Sequence, residues 1–355
     1  MKKSLVNIII PHYNGVSFID ECLKSVFKTV YKPIEVIVID NGSTDGSQAF
    51  IKKKYPQVKL IQSSKNLGYA GGCTYGFEKS TGEFIVFLNN DTTVDKQWLT
   101  YLVKAAKNKD VALCQPKVLS IRQPAHFEYA GAAGGYMDRW GYTFCRGRLF
   151  DVCEQDKGQY DQEVEIFWAS GVCLFVKRSV LQEIGAFDPY FFMYYEEEDL
   201  CWRAHLKNYK VFFVPKAKMY HYGEKTAKNY PFRKYYYFHR NHTILLIKNY
   251  SWFSLARVLP KKFMLDGIMA AYFLMIGQWK RSFCIIAALA SLPFNLRKIL
   301  YMREKTQKLR KRDEQEIWNM LYPKNIALSF FLRGRKTFTE LLEESPSFRK
   351  QLPYR

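Results

Sequence analysis

Acidic residues are scarce in this chain: 33 Asp and Glu face 54 Lys and Arg over 355 residues, a formal net charge of +21. The shortage is uneven. Between Cys201 and Leu300 the only acids are Glu224 and Asp266, against 18 Lys and Arg. Such a block calls for a polyanionic partner: nucleic acid, anionic lipid or a diphosphate-bearing substrate. No nucleic acid is expected, because zinc-finger spacing, an RNA-binding aromatic signature and a helix-turn-helix are all lacking. The eight cysteines form no CxxC pair and no dense framework. That excludes a disulfide scaffold and fits free thiols in a reducing compartment. Long apolar runs are missing too. Met264 to Gly277 is interrupted by Asp266, and Ser282 to Phe294 is short, whereas a membrane span needs about 18–20 apolar residues. The start, Met1-Lys2-Lys3-Ser4, resembles the opening of a signal peptide, but the apolar run after it ends at Pro11-His12-Tyr13-Asn14 with no small-residue cleavage site. The protein is therefore expected to stay on the cytoplasmic side.

What is present begins with strand and helix patterns in alternation. Leu5–Ile10, Ile34–Ile39, Val58–Gln62 and Phe84–Leu88 read as strands without polar alternation, as in a parallel sheet covered on both faces. Helical spacing runs through Ile19–Thr29, Ser47–Tyr55, Leu67–Lys79 and Asp95–Lys107. This is the pattern of an α/β, doubly wound nucleotide-binding half. From Gln115 to Gln162 the chain is glycine-rich and aromatic with little period, and reads as strands and functional loops. Glu165–Val176 reads as one strand, Ser179–Ile184 and Asp199–Asn208 as helices, and Val211–Val214 as a closing strand.

Three acidic stations mark strand or loop ends. Asp91 follows the strand Phe84–Leu88, Asp40 ends Ile34–Ile39, and Glu196-Glu197-Glu198-Asp199 follows an aromatic run. A carboxylate at the end of a buried strand is costly unless something pairs with it. A divalent cation carrying a phosphorylated ligand is such a partner for Asp91, and capping of the helix beginning near Val94 is the plain alternative. Four adjacent acids raise one another's pKa when packed, which suits proton transfer. Around Asn66 and Gly68, three glycines of a helical segment cost about 1 kcal/mol each. Close approach to a nucleotide or close packing on the sheet offsets that cost. No Gly-x-Gly-x-x-Gly follows the first strand, where Asn14-Gly15-Val16-Ser17 stands, which argues against a dinucleotide dehydrogenase.

These motifs come in a telling order: Ile8-Ile9-Ile10-Pro11-His12-Tyr13-Asn14-Gly15, Val38 to Ser47 around Asp40-Asn41-Gly42-Ser43, Asn66 to Gly72, Phe87-Leu88-Asn89-Asn90-Asp91, Gly185-Ala186-Phe187-Asp188, and Glu196 to Arg203. Over Val6 to Asn249 the chain resembles the family 2 glycosyltransferases, in particular the bacterial rhamnosyltransferase-like branch. The resemblance implies a GT-A fold: a doubly wound mixed sheet resembling a Rossmann half, with a C-terminal helical extension. Residues 1–250 would form the catalytic domain, with 1–110 as nucleotide-binding half and 111–250 as acceptor-binding half; 251–355 would form the extension. It implies an inverting hexosyl- or rhamnosyltransferase using a dTDP- or UDP-sugar. Pro11, Tyr13, Asn14, Asp40, Asn66, Gly68, Asn89 and Asn90 would line the nucleotide, Asp40 accepting from the pyrimidine imide. Asp91, with His221, would hold Mg²⁺ or Mn²⁺. Asn89 stands where relatives often carry Asp. Glu197 would be the general base, where relatives more often have Asp, and Glu196 and Asp199 would complete the catalytic cluster by holding acceptor hydroxyls and the helix start, with a plain N-terminal helix charge as the alternative for Asp199. Trp168 would offer a sugar face, with core packing as its equal rival. Arg146, Arg233 and Arg240 are candidates for diphosphate or acceptor phosphate.

The acceptor expected from the resemblance is a growing glycan, polyprenyl-diphosphate-linked. The apolar stretches of 255–300, flanked by Lys261, Lys262, Lys280, Arg281, Arg297 and Lys298, read as surface or shallow re-entrant helices on an anionic membrane. The protein is then peripheral on the inner face of the cell membrane. Packing on the core, or on a second copy in a homo-oligomer, is the alternative. Glu304–Arg312 reads as a solvated helix, and the end beyond Glu343, with Pro346 and Pro353, as frayed. Two other functions compete. A nucleotidyltransferase would want the same pocket, but its glycine-rich Lys-Arg loop is absent. A non-catalytic glycan-binding or assembly protein on this scaffold would show no donor hydrolysis.

Overall fold

The structure, a computed structural model, describes residues 3–223 and 231–352. Met1, Lys2, Glu224 and Pro353 lie outside the described residues. The N-terminal half runs β1 (Val6–His12), α1 (Val16–Phe27), β2 (Ile34–Asp40), α2 (Ser47–Lys54), β3 (Lys59–Gln62), α3 (Gly68–Glu78) and β4 (Phe84–Leu88). The strands lack polar alternation because both faces are covered. Ile8, Ile10, Val36 and Val38 pack with Leu23 of α1. Ile9, Ile37 and Ile39 pack on the other side with Ala70 and Cys73 of α3.

A short strand β5 (Thr92–Val94) comes before α4 (Trp98–Ala105), so the helix expected from Asp95 starts later. Next come β6 (Val111–Ser120) and a small antiparallel sheet of β7 (Gly135–Met137), β8 (Thr143–Cys145), β9 (Arg148–Leu149) and β10 (Val152–Cys153). The single strand expected over 165–176 is two, β11 (Val164–Glu165) and β12 (Cys173–Lys177). Between them the chain leaves the main sheet: Gly135 and Trp168 exchange backbone hydrogen bonds, and Trp168 packs on Gly135. After α5 (Arg178–Ile184), α6 (Glu196–Leu206) begins three residues before the expected helix, inside the acidic run. β13 (Lys210–His221) outlasts the expected strand because Lys218–His221 continue along β6, and Met219–His221 also pair with β5.

Among the described residues the main sheet has nine strands, ordered β3-β2-β1-β4-β12-β6-β13-β11, with β5 on β13. β1, β2, β3 and β4 are parallel; β12 runs against β4 and β6. The order reverses between β1 and β4. Loops leaving the carboxyl ends of strands at such a point diverge and open a crevice.

The C-terminal part is α7 (Pro231–Asn249), α8 (Trp252–Met275), α9 (Trp279–Phe294), α10 (Leu296–Lys308), α11 (Glu314–Met320), α12 (Phe338–Glu344) and α13 (Pro346–Gln351). The end is not frayed up to the last described residues. Thr337 and Glu340 form a capping box on α12, and Phe348 of α13 is buried on Tyr136 and Tyr322. Nor is the helix around Glu304 wholly solvated: Glu304 pairs with Lys308 in water, but Met302, Arg303 and Thr306 are buried.

Candidate active site

The crevice gathers several of the predicted nucleotide residues. His12 and Asp40 are register partners at the ends of β1 and β2. Asp40 is buried; its carboxylate accepts from Ser43 N (3.3 Å) and from Gln48 Nε2 (2.9 Å). Asn14 is tied to the same turn: its N–H donates to Ser43 Oγ (2.9 Å) and its Oδ1 accepts from Thr44 N (2.8 Å). Just past β4, the Asn90 side chain lies 2.8 Å from His12 Nδ1, while His12 Nε2 is buried without a partner among the described residues. Pro11 and Asn41 close around Gly72, where a Cβ would meet them at 3.2 and 3.1 Å. Asn66 turns its Oδ1 back to accept from Gly68 N (2.8 Å). Gly68 has another reason to be glycine. Its φ is 72°, and a Cβ there would lie 2.3 Å from the Phe192 carbonyl oxygen. Gly71 and Gly76 likewise meet Leu67 and Ile9. Packing against the protein itself accounts for these glycines.

Asp91 is not a helix cap. It sits in the β4–β5 turn, and Asp95 Oδ1 instead accepts Gln97 N (2.9 Å) at the entry to α4. Its Oδ1 lies 3.1 Å from His221 Nε2, delivered by the end of β13. Asn89 Nδ2 is 3.5 Å from the same nitrogen. On the far side of the ring, Glu128 Oε2 lies 3.0 Å from Nδ1. Burial works against a charged imidazole here, but the carboxylates of Asp91 and Glu128 lift His221 to about 10. A carboxylate behind a histidine is a common support for a metal ligand; here Nε2 faces Asp91, so His221 would ligate a cation only on giving up the proton there. Among the described residues no group of three His, Cys, Asp or Glu surrounds one point. The protein thus offers a pair, Asp91 and His221, which leaves room for phosphate oxygens and water. That fits a Mg²⁺- or Mn²⁺-diphosphate. Glu128 was not legible in the sequence, being one acid in an aperiodic aromatic loop.

The four acids differ sharply. Glu196, Glu198 and Asp199 are buried, whereas Glu197 is half-buried. Glu197 Oε1 accepts from Gly171 N (3.3 Å), and Tyr69 Oη donates to the Gly171 carbonyl. The next carbonyl, Val172, accepts from Asn89 N at 3.0 Å, linking the Glu197 side to the turn that carries Asp91. One carboxylate oxygen on each of Glu196, Glu197 and Glu198 is buried without a partner among the described residues. Burial pushes all three carboxyls up, Glu196 and Glu198 furthest, where the charge of Glu197 adds to it. Asp199 is the opposite case. Burial opposes its charge, but Lys248 (3.0 Å) and Arg203 (2.9 Å) hold it below the usual carboxylate range, and Asn249 donates to its other oxygen (3.1 Å). Asp199 is therefore a brace, and its expected place in the catalytic cluster is corrected.

Other expectations move as well. Trp168 is buried, packs on Gly135 and donates Nε1 to Tyr136 O (2.8 Å), so its core role holds and its sugar-face role does not. Arg146 is fully buried, donates to Ala133 O and lies over the Phe213 and Tyr160 rings. Arg240 is buried too and donates to Tyr190 O (2.6 Å). Neither arginine is free for a phosphate. Arg233 is exposed on the first turn of α7.

The sequence profile described as Glycosyl transferase family 2 matches residues 7–185, half of the chain. The chain belongs to this family. Within it, the glycosyltransferase is 25% identical over 276 residues to the N-acetylglucosaminyl-diphospho-decaprenol L-rhamnosyltransferase of Mycobacterium tuberculosis, covering 73% of this chain and 88% of the relative. Solved structures share the GT-A fold. The mannosyltransferase PcManGT from Pyrobaculum calidifontis, in complex with GDP-Man and Mn²⁺, superposes with a TM-score of 0.51 at 16% identity, covering 87% of this chain and 86% of that one. S. aureus TarS 1–349 in complex with UDP gives 0.50 at 15% identity, covering 93% and 92%.

Proposed function

We propose that this glycosyltransferase moves a sugar from a pyrimidine nucleoside diphosphate to a hydroxyl of a lipid-linked glycan, with inversion at C1. The observation that carries the reading is Glu197: alone among four adjacent acids it is half-buried, and it reaches Gly171 beside the turn that carries Asp91. Its raised pKa suits a group that takes a proton from a hydroxyl as that oxygen attacks C1. Attack by the acceptor itself needs no covalent enzyme intermediate. Asp91 and His221 would hold Mg²⁺ or Mn²⁺, which when bound neutralises charge on the leaving diphosphate. Asn89 and Asn90 complete that wall as neutral donors and acceptors.

The base is assigned through Asp40, since uracil and thymine present an imide N–H where a carboxylate can accept it. Rhamnose is the first sugar to test, with a hexose as alternative, and a glycan on a polyprenyl diphosphate is the acceptor. Both follow what the mycobacterial relative is named for. Calorimetry with UDP, dTDP, ADP and GDP should favour the pyrimidines, and Asp40→Asn should cost roughly 1.5–3 kcal/mol of that binding, the scale of a hydrogen bond to a charged group. Equal affinity for all four would remove the assignment. Slow hydrolysis of dTDP-rhamnose, UDP-glucose and UDP-galactose then identifies the donor; a chain that hydrolyses no donor and transfers to no acceptor is a binding protein instead.

A lipid-linked acceptor fits the helical extension. Among the described residues no single helix is long and apolar enough to cross a membrane, though α9 and α10, bent by 76°, pass that test as a pair. The neighbouring α8 exposes Phe253, Met264, Ile268 and Met275, α9 exposes Trp279 and Phe283, and Phe294 at the bend is 91% exposed. Lys261, Lys280, Arg297 and Lys298 are exposed beside them, while Asp266, the one acid of α8 and α9, is buried. An apolar face ringed by cations matches an anionic bilayer surface. Lys262 takes no part in that ring: it is fully buried and paired with Asp266, which also meets His239 Nδ1 at 3.0 Å. Flotation with anionic vesicles should succeed and weaken in high salt. A stable dimer that ignores vesicles would assign the face to a second copy.

A further inference from the structure

The family match ends at residue 185 and does not reach α7. Yet α7 meets the segment before the glutamates repeatedly. Arg240 Nη2 donates to Tyr190 O (2.6 Å). Asn241, fully buried, points Nδ2 at three carbonyls: Phe191 (2.8 Å), Met193 (2.8 Å) and Tyr194 (2.9 Å). Arg240 Nε donates to Asn241 Oδ1 (2.9 Å), which fixes the amide so that its N–H groups face the turn. Lys248 then spans Asp188 (3.1 Å) and Asp199 (3.0 Å) at the two ends of the segment.

The segment needs such holding. Phe192 has φ 64° and ψ −57°, and Met193 N donates back to Phe191 O at 2.7 Å. That is the rare, strained hand of the three-residue turn. Tyr194 and Tyr195 follow at φ 69° each. None of the three is glycine, so this backbone persists only where its surroundings over-determine it. The Phe192 carbonyl also accepts from Ala70 N (3.2 Å) and faces Gly68. Tyr195 immediately precedes α6, so the turn sets the angle at which Glu196 and Glu197 leave the backbone.

We propose that Asn241 is a positioning residue for sugar transfer: its amide, aimed by Arg240, locks the 191–195 turn in its left-handed form and so places Glu197 against the Gly171 N–H. The inference rests on Glu197 being the base. It extends the active site to a helix on which Arg240 and Asn241 answer the 190–194 carbonyls rather than a substrate.

The test is kinetics of sugar transfer beside nucleotide calorimetry, on Asn241→Ala, Asn241→Ser and Glu197→Gln in the full chain. Asn241→Ala should lower kcat at least tenfold while UDP or dTDP affinity stays within about twofold, because Asn14 and Asp40, to which the nucleobase is assigned, lie at the ends of β1 and β2. Asn241→Ser keeps one short donor and should fall between Asn241→Ala and the native enzyme. In the Asn241→Ala background, Tyr194→Asn should recover part of kcat, since asparagine tolerates a left-handed φ. Three results overturn the proposal: transfer within twofold of native in Asn241→Ala, a parallel loss of kcat and nucleotide affinity, or failure of both position-241 variants to fold, which would make the residue structural only. Normal transfer by Glu197→Gln would instead remove the base assignment on which the proposal stands.

Discussion

Asp199 and the three glutamates before it share one helical turn but differ in what surrounds them. Asp199 has two cations and an amide on its carboxylate, all buried with it. Among the described residues, Glu196, Glu197 and Glu198 have no cation, and each keeps an oxygen without a partner. Charge in the first case is held by the fold. In the second it is disfavoured by burial and by like neighbours, and that is where proton transfer is available. Adjacency in sequence thus carries little information about role; which wall of the cleft a side chain meets decides it.

The largest way to break this contrast is Asp199→Ala. It leaves buried Arg203 with the carbonyls of Ile184, Gly185 and Ala186 but no counter-charge, and Lys248 with Asp188 alone, so we expect a loss of about 3 kcal/mol in stability, read by urea unfolding. Because Asp199 is held low in the fold, its stabilisation is present above its unfolded pKa and fades as pH falls through the lower folded value. A variant as stable as the parent would end the brace assignment.

Next in size is Glu197→Gln, with transfer falling about 100-fold or more, the scale of general-base loss, while donor binding persists. In the native enzyme kcat should rise with pH through a value above the ordinary glutamate pKa of about 4.3, and the residual rate of the variant should lack that limb. Near-normal transfer by Glu197→Gln beside a folded, inactive Asp199→Asn would invert the comparison.

The smallest effect separates Glu198 from Asp199 by sign. Glu198 is pushed up in the fold, so its contribution is present below its unfolded pKa and is lost as pH rises through the folded value. At neutral pH Glu198→Gln should raise the melting temperature by roughly 2 °C or more, where Asp199→Ala lowers it. Differential scanning calorimetry at pH 7 decides between gain and loss.

Much of the fold was legible because its signals are local. Runs such as Ile8-Ile9-Ile10 and Val36-Ile37-Val38-Ile39 announce buried parallel strands, and Asn14, Asp40 and Asn89–Asp91 fall at their ends, where the crevice opens. The illegible parts depend on distant partners. β5 exists only because β13 is there to pair with it. The break within 166–172 follows from Trp168 finding Gly135. Glu128 carries no pattern of its own and acquires a role only when His221 arrives beside it. Arg146 and Arg240 looked like phosphate ligands because a cation in a basic chain gives no sign of burial; in the fold they answer backbone carbonyls.

The sequence by itself determined the family, the sheet-forming half and the positions of the acidic stations, because strand burial, turn residues and motif order are properties of neighbouring residues. Tertiary structure alone decided which acid is a brace and which is free, that Asp91 faces His221, that glycine at 68 answers the Phe192 carbonyl, and that Asn241 grips the turn before Glu196. Those outcomes depend on charge, burial and hydrogen bonding between segments as many as 130 residues apart, and electrostatic roles follow the surroundings of a side chain in space rather than its place in the chain.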